Sequence, residues 1–346
     1  MNQVNNKVGC KLDTKELNDE AQALLSAIAG KKVLVVGDTI IDKYIFVKPK
    51  GRAIKDPILS TEYVREETYG GGAVAIAKHV SDFAGSVTFL TMLGESPSHL
   101  GFLSDDLPQN VRLEHILRPN SPTTVKTRYV DYYRNHKLFK METIDDSPLP
   151  KSIEDQAYER LAGEMKSHDL TLVADFGHGL MTPRLRELVT QVPGFLALNV
   201  QTNSSNFGYN YLTGYSRADF ATMNEEEARL PTNMRFEPIE QVARALSKAS
   251  GIENLLITLG KKGSLYHERG NIHMAQALNL SPVDTVGAGD ASFAIASLFA
   301  SQGTRPLLVP LAANSAAAVK AGYMGNKEYV RKADLLKKLG EYHGLE

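Results

Sequence analysis

Val33-Leu34-Val35-Val36-Gly37-Asp38 is the stretch that decides the fold. Its short, continuous apolar run is the kind found in a strand buried on both faces of a parallel sheet. Before it, Leu17, Ala21, Leu24, Leu25 and Ile28 recur at helical spacing and stop at Gly30, which predicts an amphipathic first helix within an N-terminal extension, 1–30. After it the periodicity alternates between the two regular structures. Helices are expected at about 72–83, 153–165, 184–192 and 238–249, and strands at 87–93, 170–174, 195–200 and 254–258. Such alternation predicts an α/β fold with a doubly wound, mostly parallel sheet spanning 31–346.

Two segments break the rhythm. Residues 44–63 and 123–140 are rich in β-branched and aromatic side chains, and the second reads as two strands, 124–132 and 137–141, around a turn at Arg134-Asn135. Together they predict a small β-sheet, a lid inserted at about 43–66 and 123–141 that sits over the ends of the main sheet. The alternative is an edge extension of the main sheet.

Composition narrows the partners. Lys+Arg number 39 against 40 Asp+Glu, so the chain has no basic footprint for nucleic acid or an anionic membrane, and small molecules are the expected ligands. Cys10 is the single cysteine, which excludes a disulfide framework and fits a reducing compartment. With no apolar stretch of signal-peptide or membrane-spanning length, a cytoplasmic location is expected.

The strongest chemical signal is Asp284-Thr285-Val286-Gly287-Ala288-Gly289-Asp290, followed by good helix-forming residues. Two glycines let the backbone turn tightly and present N–H groups at a helix N-terminus, where the dipole favours an anion. Gly287, Ala288 and Gly289 thus read as a phosphate cradle. Asp290, beside it in the first turn, is placed to accept the proton of a hydroxyl attacking a phosphoryl group held there. A simple helix cap is the competing reading. The sequence lacks the P-loop, the complete dinucleotide fingerprint after the first strand and the His-Glu-x-x-His zinc motif.

The longer string resembles the C-terminal signature of the ribokinase/PfkB family of carbohydrate kinases, in which it forms the anion hole and supplies the catalytic aspartate. Asn224-Glu225-Glu226-Glu227 is similar to the family's Asn-x-x-Glu, and Thr258-Leu259-Gly260-Lys261-Lys262-Gly263 to its Thr-x-Gly-x-x-Gly nucleotide loop. The resemblance implies ATP and Mg²⁺. Asn224, Glu227, Thr258, Gly260, Gly263, Thr285 and Asn314 would serve the nucleotide, with Glu227 reaching magnesium through water. A monovalent cation near the anion hole and a homodimer through the lid sheets are also implied.

The N-terminal half is most similar to the bacterial heptose 7-phosphate kinases. Gly37-Asp38-Thr39-Ile40-Ile41-Asp42-Lys43-Tyr44, Gly70-Gly71-Gly72-Ala73, Thr123-Thr124-Val125-Lys126-Thr127-Arg128 and Lys137-Leu138-Phe139-Lys140 recur in the same order. By resemblance Asp38, Asp42, Gly71 and Gly72 would meet sugar, and Lys126, Arg128 and Lys140 a phosphate already on it. Departures occur at three sites. Ala75 stands where an Asn is usual, Asp175-Phe176-Gly177-His178-Gly179 lacks a Lys, and Asn199-Val200-Gln201 replaces Asp-Pro-Lys. Asp175 and His178 remain candidate substrate contacts, His178 equally as a structural residue. These departures bear on the acceptor more than on phosphoryl transfer. The expected activity is therefore ATP-dependent phosphorylation of a sugar or sugar phosphate, with a non-catalytic sugar-binding regulator or a nucleoside kinase as alternatives.

Overall fold

The computed structural model describes residues 14–342 apart from 204–205 and 279–280, so Cys10 lies outside the described residues. β1 (Lys32–Gly37) runs parallel between β4 (Ser86–Gly94) and β8 (Leu170–Asp175). Its side chains alternate between two cores. Val33 and Val35 join one hydrophobic cluster, Leu34 and Val36 the other, and all four are fully buried, which is why the run shows no polar alternation. Burial of each such side chain contributes roughly 1.5–3 kcal/mol.

The first cluster lies under α1 (Thr14–Ile28), α2 (Ala73–Ser81), α3 (Leu100–Asp106), α8 (Ala288–Ala300), α9 (Leu308–Lys320) and α10 (Lys332–Leu339). The second lies under α4 (Lys151–Glu164), α5 (Pro183–Val189), α6 (Glu225–Thr232) and α7 (Ile239–Ser250). Between them is a nine-stranded sheet. Its remaining strands are β5 (Val111–Arg118), β9 (Phe195–Val200), β10 (Phe220–Asn224), β11 (Asn254–Thr258), β12 (Ser264–Glu268) and β13 (Asn271–Ala275). The order is β13-β12-β11-β10-β9-β8-β1-β4-β5, and only β12 and β13 run antiparallel to their neighbours. Among the described residues no helix is long and apolar enough to cross a membrane.

A second sheet, separate from the edges of the first, has the order β3-β2-β6-β7. It contains β2 (Thr39–Arg52), β3 (Leu59–Gly72), β6 (Thr124–Asp131) and β7 (Lys137–Thr143). The first pair is longer than the sequence suggests: β2 begins one residue after β1, and β3 runs directly into α2. Asp42 pairs with Lys126, and Tyr44 with Arg128, so these four share one face of the sheet, the face turned to the main domain.

Candidate active site

Gly287 caps α8 with φ 81°, and a side chain there would run into Asn326 Oδ1, so the position requires glycine twice over. The turn is held by Asp284. Its carboxylate accepts hydrogen bonds from Val286 N at 3.1 Å, Gly325 N at 3.1 Å, Tyr44 Oη at 3.0 Å and Lys137 Nζ at 2.6 Å. Burial pushes this carboxyl upward, but Lys137 and the two backbone donors outweigh it and hold it below the usual range. Ala288 N–H is taken by the Thr285 carbonyl, and the preceding Val286 N–H by Asp284, so the expected cradle of Gly287, Ala288 and Gly289 reduces to the two glycines.

Asp290 lies in the first turn of α8, buried, with Gln201 Nε2 donating to its Oδ1 at 3.2 Å. Burial, reinforced by the nearby Asp42 carboxylate, pushes its pKa up to about 7, while Gln201, Lys126 and Lys320 pull the other way. Lys320, at the end of α9, is fully buried, and its Nζ has no hydrogen-bond partner among the described residues. Burial draws it down to about 8 against the pull of Asp284 and Asp290.

Asp290, Gly287 and Gly289 open on a cleft of about 320 Å³. One wall is the carboxyl ends of β9, β10 and β11, through Asn199, Asn224 and Thr258; the other is the second sheet, through Asp42, Gly72, Lys126 and Arg128. This is where doubly wound sheets place ligands. Asp42 is paired with Arg128 and receives Asn326 Nδ2 at 3.4 Å. A side chain at Gly71 would meet that same carboxylate. Lys126 Nζ is 3.8 Å and Lys140 Nζ 2.9 Å from Glu142, so the three cations face two carboxylates. Lys140 does not line the cleft.

Asn224 and Glu227 form a capping box on α6: Glu227 N donates to Asn224 Oδ1 and Asn224 N to Glu227 Oε2, both at 2.8 Å. Thr202 N donates to the other oxygen, Oε1, at 3.1 Å. Burial raises Glu227 to about 7 despite these donors. A second cleft of about 300 Å³ adjoins the first, and Thr258 and Gly289 line both. Gly260, Gly263, Thr285 and Ala288 lie on its polar rim and Leu278, Ala317 and Ala321 on its apolar wall. Asn314 lines it too, but its Nδ2 donates to the carbonyls of Ala275 and Gln276 at 2.9 and 3.0 Å, so it braces the wall.

Besides Lys140, three more expected substrate contacts stand outside this cleft. Asp38 accepts hydrogen bonds from the N–H groups of Phe176, His178 and Leu180 at 3.1–3.2 Å, which corrects its expected role from a sugar contact to an anchor for that loop. Asp175 receives Tyr215 Oη at 2.8 Å and Arg186 Nη2 at 3.0 Å, and likewise faces away from the cleft. His178 is buried with neither ring nitrogen hydrogen-bonded, beside a separate cavity of about 20 Å³. Burial, with Lys126 and Lys140, pushes it down to about 3, so the ring is neutral. Sequence reading missed Lys137 and Lys320 as neighbours of the glycine turn and treated Gln201 only as a departure. Met223, which also lines the first cleft, belongs to no motif, and Phe176 lies in a stretch quoted only for the lysine it lacks. Among the described residues no three His, Cys, Asp or Glu side chains are grouped to hold a metal ion.

The family described as pfkB family carbohydrate kinase matches residues 30–326. The bifunctional protein HldE of Hyphomonas neptunium is 27% identical over 316 residues, 88% of this chain and 64% of its own length. HldE of Wolinella succinogenes is 25% identical over 309 residues, with 88% and 64% covered. This chain thus spans less than two thirds of those relatives. Among solved structures, Arabidopsis thaliana ribokinase complexed with ribose and ATP aligns with a TM-score of 0.68 at 18% identity, covering 90% of this chain and 99% of that one. Escherichia coli phosphofructokinase-2 in complex with fructose-6-phosphate aligns with a TM-score of 0.70 at 13% identity, covering 91% and 99%.

Proposed function

The chain belongs to the pfkB family of carbohydrate kinases, phosphotransferases acting on sugar hydroxyls, and from that premise we propose that it transfers the γ-phosphoryl group of ATP with Asp290 as base. One observation carries the reading. The buried Asp290 carboxylate stands one residue from Gly289, the glycine lining both clefts, so one cleft would take the acceptor and the other the nucleotide, with the reacting atoms meeting there.

The acceptor hydroxyl gives its proton to Asp290, its oxygen forms the new bond to the γ-phosphorus, and the bond to the bridging oxygen breaks as ADP leaves. Gly287 and Gly289 stabilise charge on the transferred group. The apolar wall of the second cleft suits a purine, and Gly260, where a side chain would meet nothing within 4 Å, leaves room for phosphates. Magnesium would come with the nucleotide's phosphates, and Glu227 and Asn224, which line the first cleft, would hold it through water. It would neutralise the phosphate charge. A monovalent cation finds an acceptor in Asn326 Oδ1, buried and unpartnered beside Gly287; turnover with and without potassium tests it.

The acceptor is a sugar or sugar phosphate, and Lys126, buried and facing the cleft, is the residue suited to a phosphate on it. The N-terminal motifs keep a heptose phosphate among the candidates, while the departures at Ala75, at 175–179 and at Asn199-Val200-Gln201 fall on the acceptor side and single out no one sugar. ADP release from Mg-ATP across heptose and hexose phosphates, free sugars and nucleosides tests the whole reading, with Asp290→Asn in parallel. Turnover with one acceptor, lost in the variant, is expected; sugar binding without turnover overturns it in favour of a non-catalytic regulator.

A second copy of the chain is the proposed partner. Ile45, Tyr129 and Phe139 lie opposite one another across β2, β6 and β7, on the face of the second sheet turned from the cleft. With Met141 they form an apolar strip, Phe139 and Met141 being 52% and 51% exposed. Light scattering tests this: a dimer that Phe139→Glu dissociates is expected, and a monomeric wild type excludes it.

A further inference from the structure

The replacement of Asp-Pro-Lys by Asn199-Val200-Gln201 puts a neutral amide beside the acid of the cleft. β9 ends by burying Val200 and turning Asn199 and Gln201 to the other side. Asn199 Nδ2 donates to the Thr222 carbonyl at 3.0 Å and to Thr222 Oγ1 at 3.2 Å, which fixes its Oδ1 as an acceptor. Gln201 Nε2 donates to that oxygen at 2.9 Å and to Asp290 Oδ1 at 3.2 Å. An amide nitrogen carries two hydrogens, and both are used. Turning the Gln201 amide over would set its oxygen against two acceptors, so the geometry admits one orientation. The result is a set of bonds that diverges from the Gln201 amide, one hydrogen going to Asn199, which donates in turn to β10, and the other to Asp290.

We propose that Gln201 is a positioning residue for Asp290: it holds Oδ1 and thereby presents Oδ2 to the acceptor hydroxyl. This rests on the reading of Asp290 as the base. The chemistry explains why a donor is needed there. Burial and the Asp42 carboxylate both favour the protonated, useless form of Asp290, and the hydrogen bond donated by Gln201 to the ionised form opposes them together with the Lys126 and Lys320 ammonium groups. A lysine in place of Gln201 would oppose them more strongly, and a weaker base would result. The glutamine therefore sets the base between two failures, more fully protonated without a donor and feebly basic beside an ammonium.

The test is the titration of the Asp290 carboxyl carbon in protein labelled with ¹³C at aspartate Cγ, the resonance being assigned by its absence from Asp290→Asn. Gln201→Met should move its midpoint up by about 0.5 pH unit or more, and Gln201→Lys should move it down. Melting curves show that each variant is folded, and Gln201→Leu serves if Gln201→Met is not. With the acceptor identified by the ADP-release panel, the acid limb of kcat/KM should shift by the same amounts, while KM for ATP changes less than about threefold. An unmoved midpoint in folded Gln201→Met overturns the inference and leaves the base reading intact. Turnover retained by Asp290→Asn overturns the base reading itself.

Discussion

Lys137, the first residue of β7, places its Nζ 2.6 Å from Asp284 Oδ1 and so ties the second sheet to the turn that opens α8. The carboxylate is buried and the ammonium about one-third exposed. Removing the ammonium leaves Tyr44, Val286 and Gly325 as donors, so Lys137→Met should cost about 1–2 kcal/mol at pH 7, short of the ~3–5 of a fully buried pair. Because Asp284 is held below its ordinary pKa, this stability exists above pH ~4 and is lost as pH falls through the lower folded value. Urea unfolding of both proteins should show the gap closing toward pH 3.

Asp290 sets the pH dependence of turnover. A base with a pKa of about 7 must be ionised to act, so kcat/KM should rise with pH and level off above about 8. Its stability effect has the opposite sign. A buried carboxyl raised in the folded state keeps its proton more tightly there, so stability declines as pH climbs from about 4 to 7. Asp290→Asn should be more stable than wild type at pH 8, by a few kcal/mol at most, with the two converging near pH 4 and turnover down about 10²–10⁴-fold.

Two glycines three atoms of cradle apart should respond differently. Gly287→Ala forces a side chain into the left-handed region and against Asn326, so a loss of about 1–3 kcal/mol in urea unfolding is expected. At Gly289, which lines both clefts, a Cβ meets nothing within 4 Å. Gly289→Ala should fold as well as wild type and lose at least about tenfold in turnover with ATP.

Asn224 caps α6 and faces the cleft, so its two roles separate by substitution. Asn224→Ala should lose about 1 kcal/mol by chemical denaturation, and Asn224→Ser should recover most of it, since serine also caps. Neither variant should keep the wild-type magnesium midpoint of ADP release, because serine is shorter than the amide it replaces.

The main sheet was legible where strands are buried on both faces: 33–38, 170–174 and 195–200 announce themselves as apolar runs. β5, β12 and β13 were not, because they lie at or beside the sheet's edges, where polar residues such as Arg112, Glu114 and Asn271 interrupt the pattern. Motif order located Asp290, Asn224 and Thr258 around one cleft. It could not separate Asp42, whose carboxylate faces that cleft, from Asp38, whose carboxylate is taken by three backbone donors. Nor could it find Gln201 against Asp290, 89 residues away, or Lys137 against Asp284, 147 residues away. Such contacts are made by topology, and the local patterns that reveal strands and helices carry no trace of them.

β2 leaves β1 after Asp38 alone, and β3 enters α2 with no residue between. At that root the second sheet is clamped like a cantilever, with no slack cord of loop to swing on. Displacement there would require flexure of paired strands rather than rotation about a loop, and the register shifts between Phe46 and Val47 and between Pro49 and Gly51 lie farther out along the same pair.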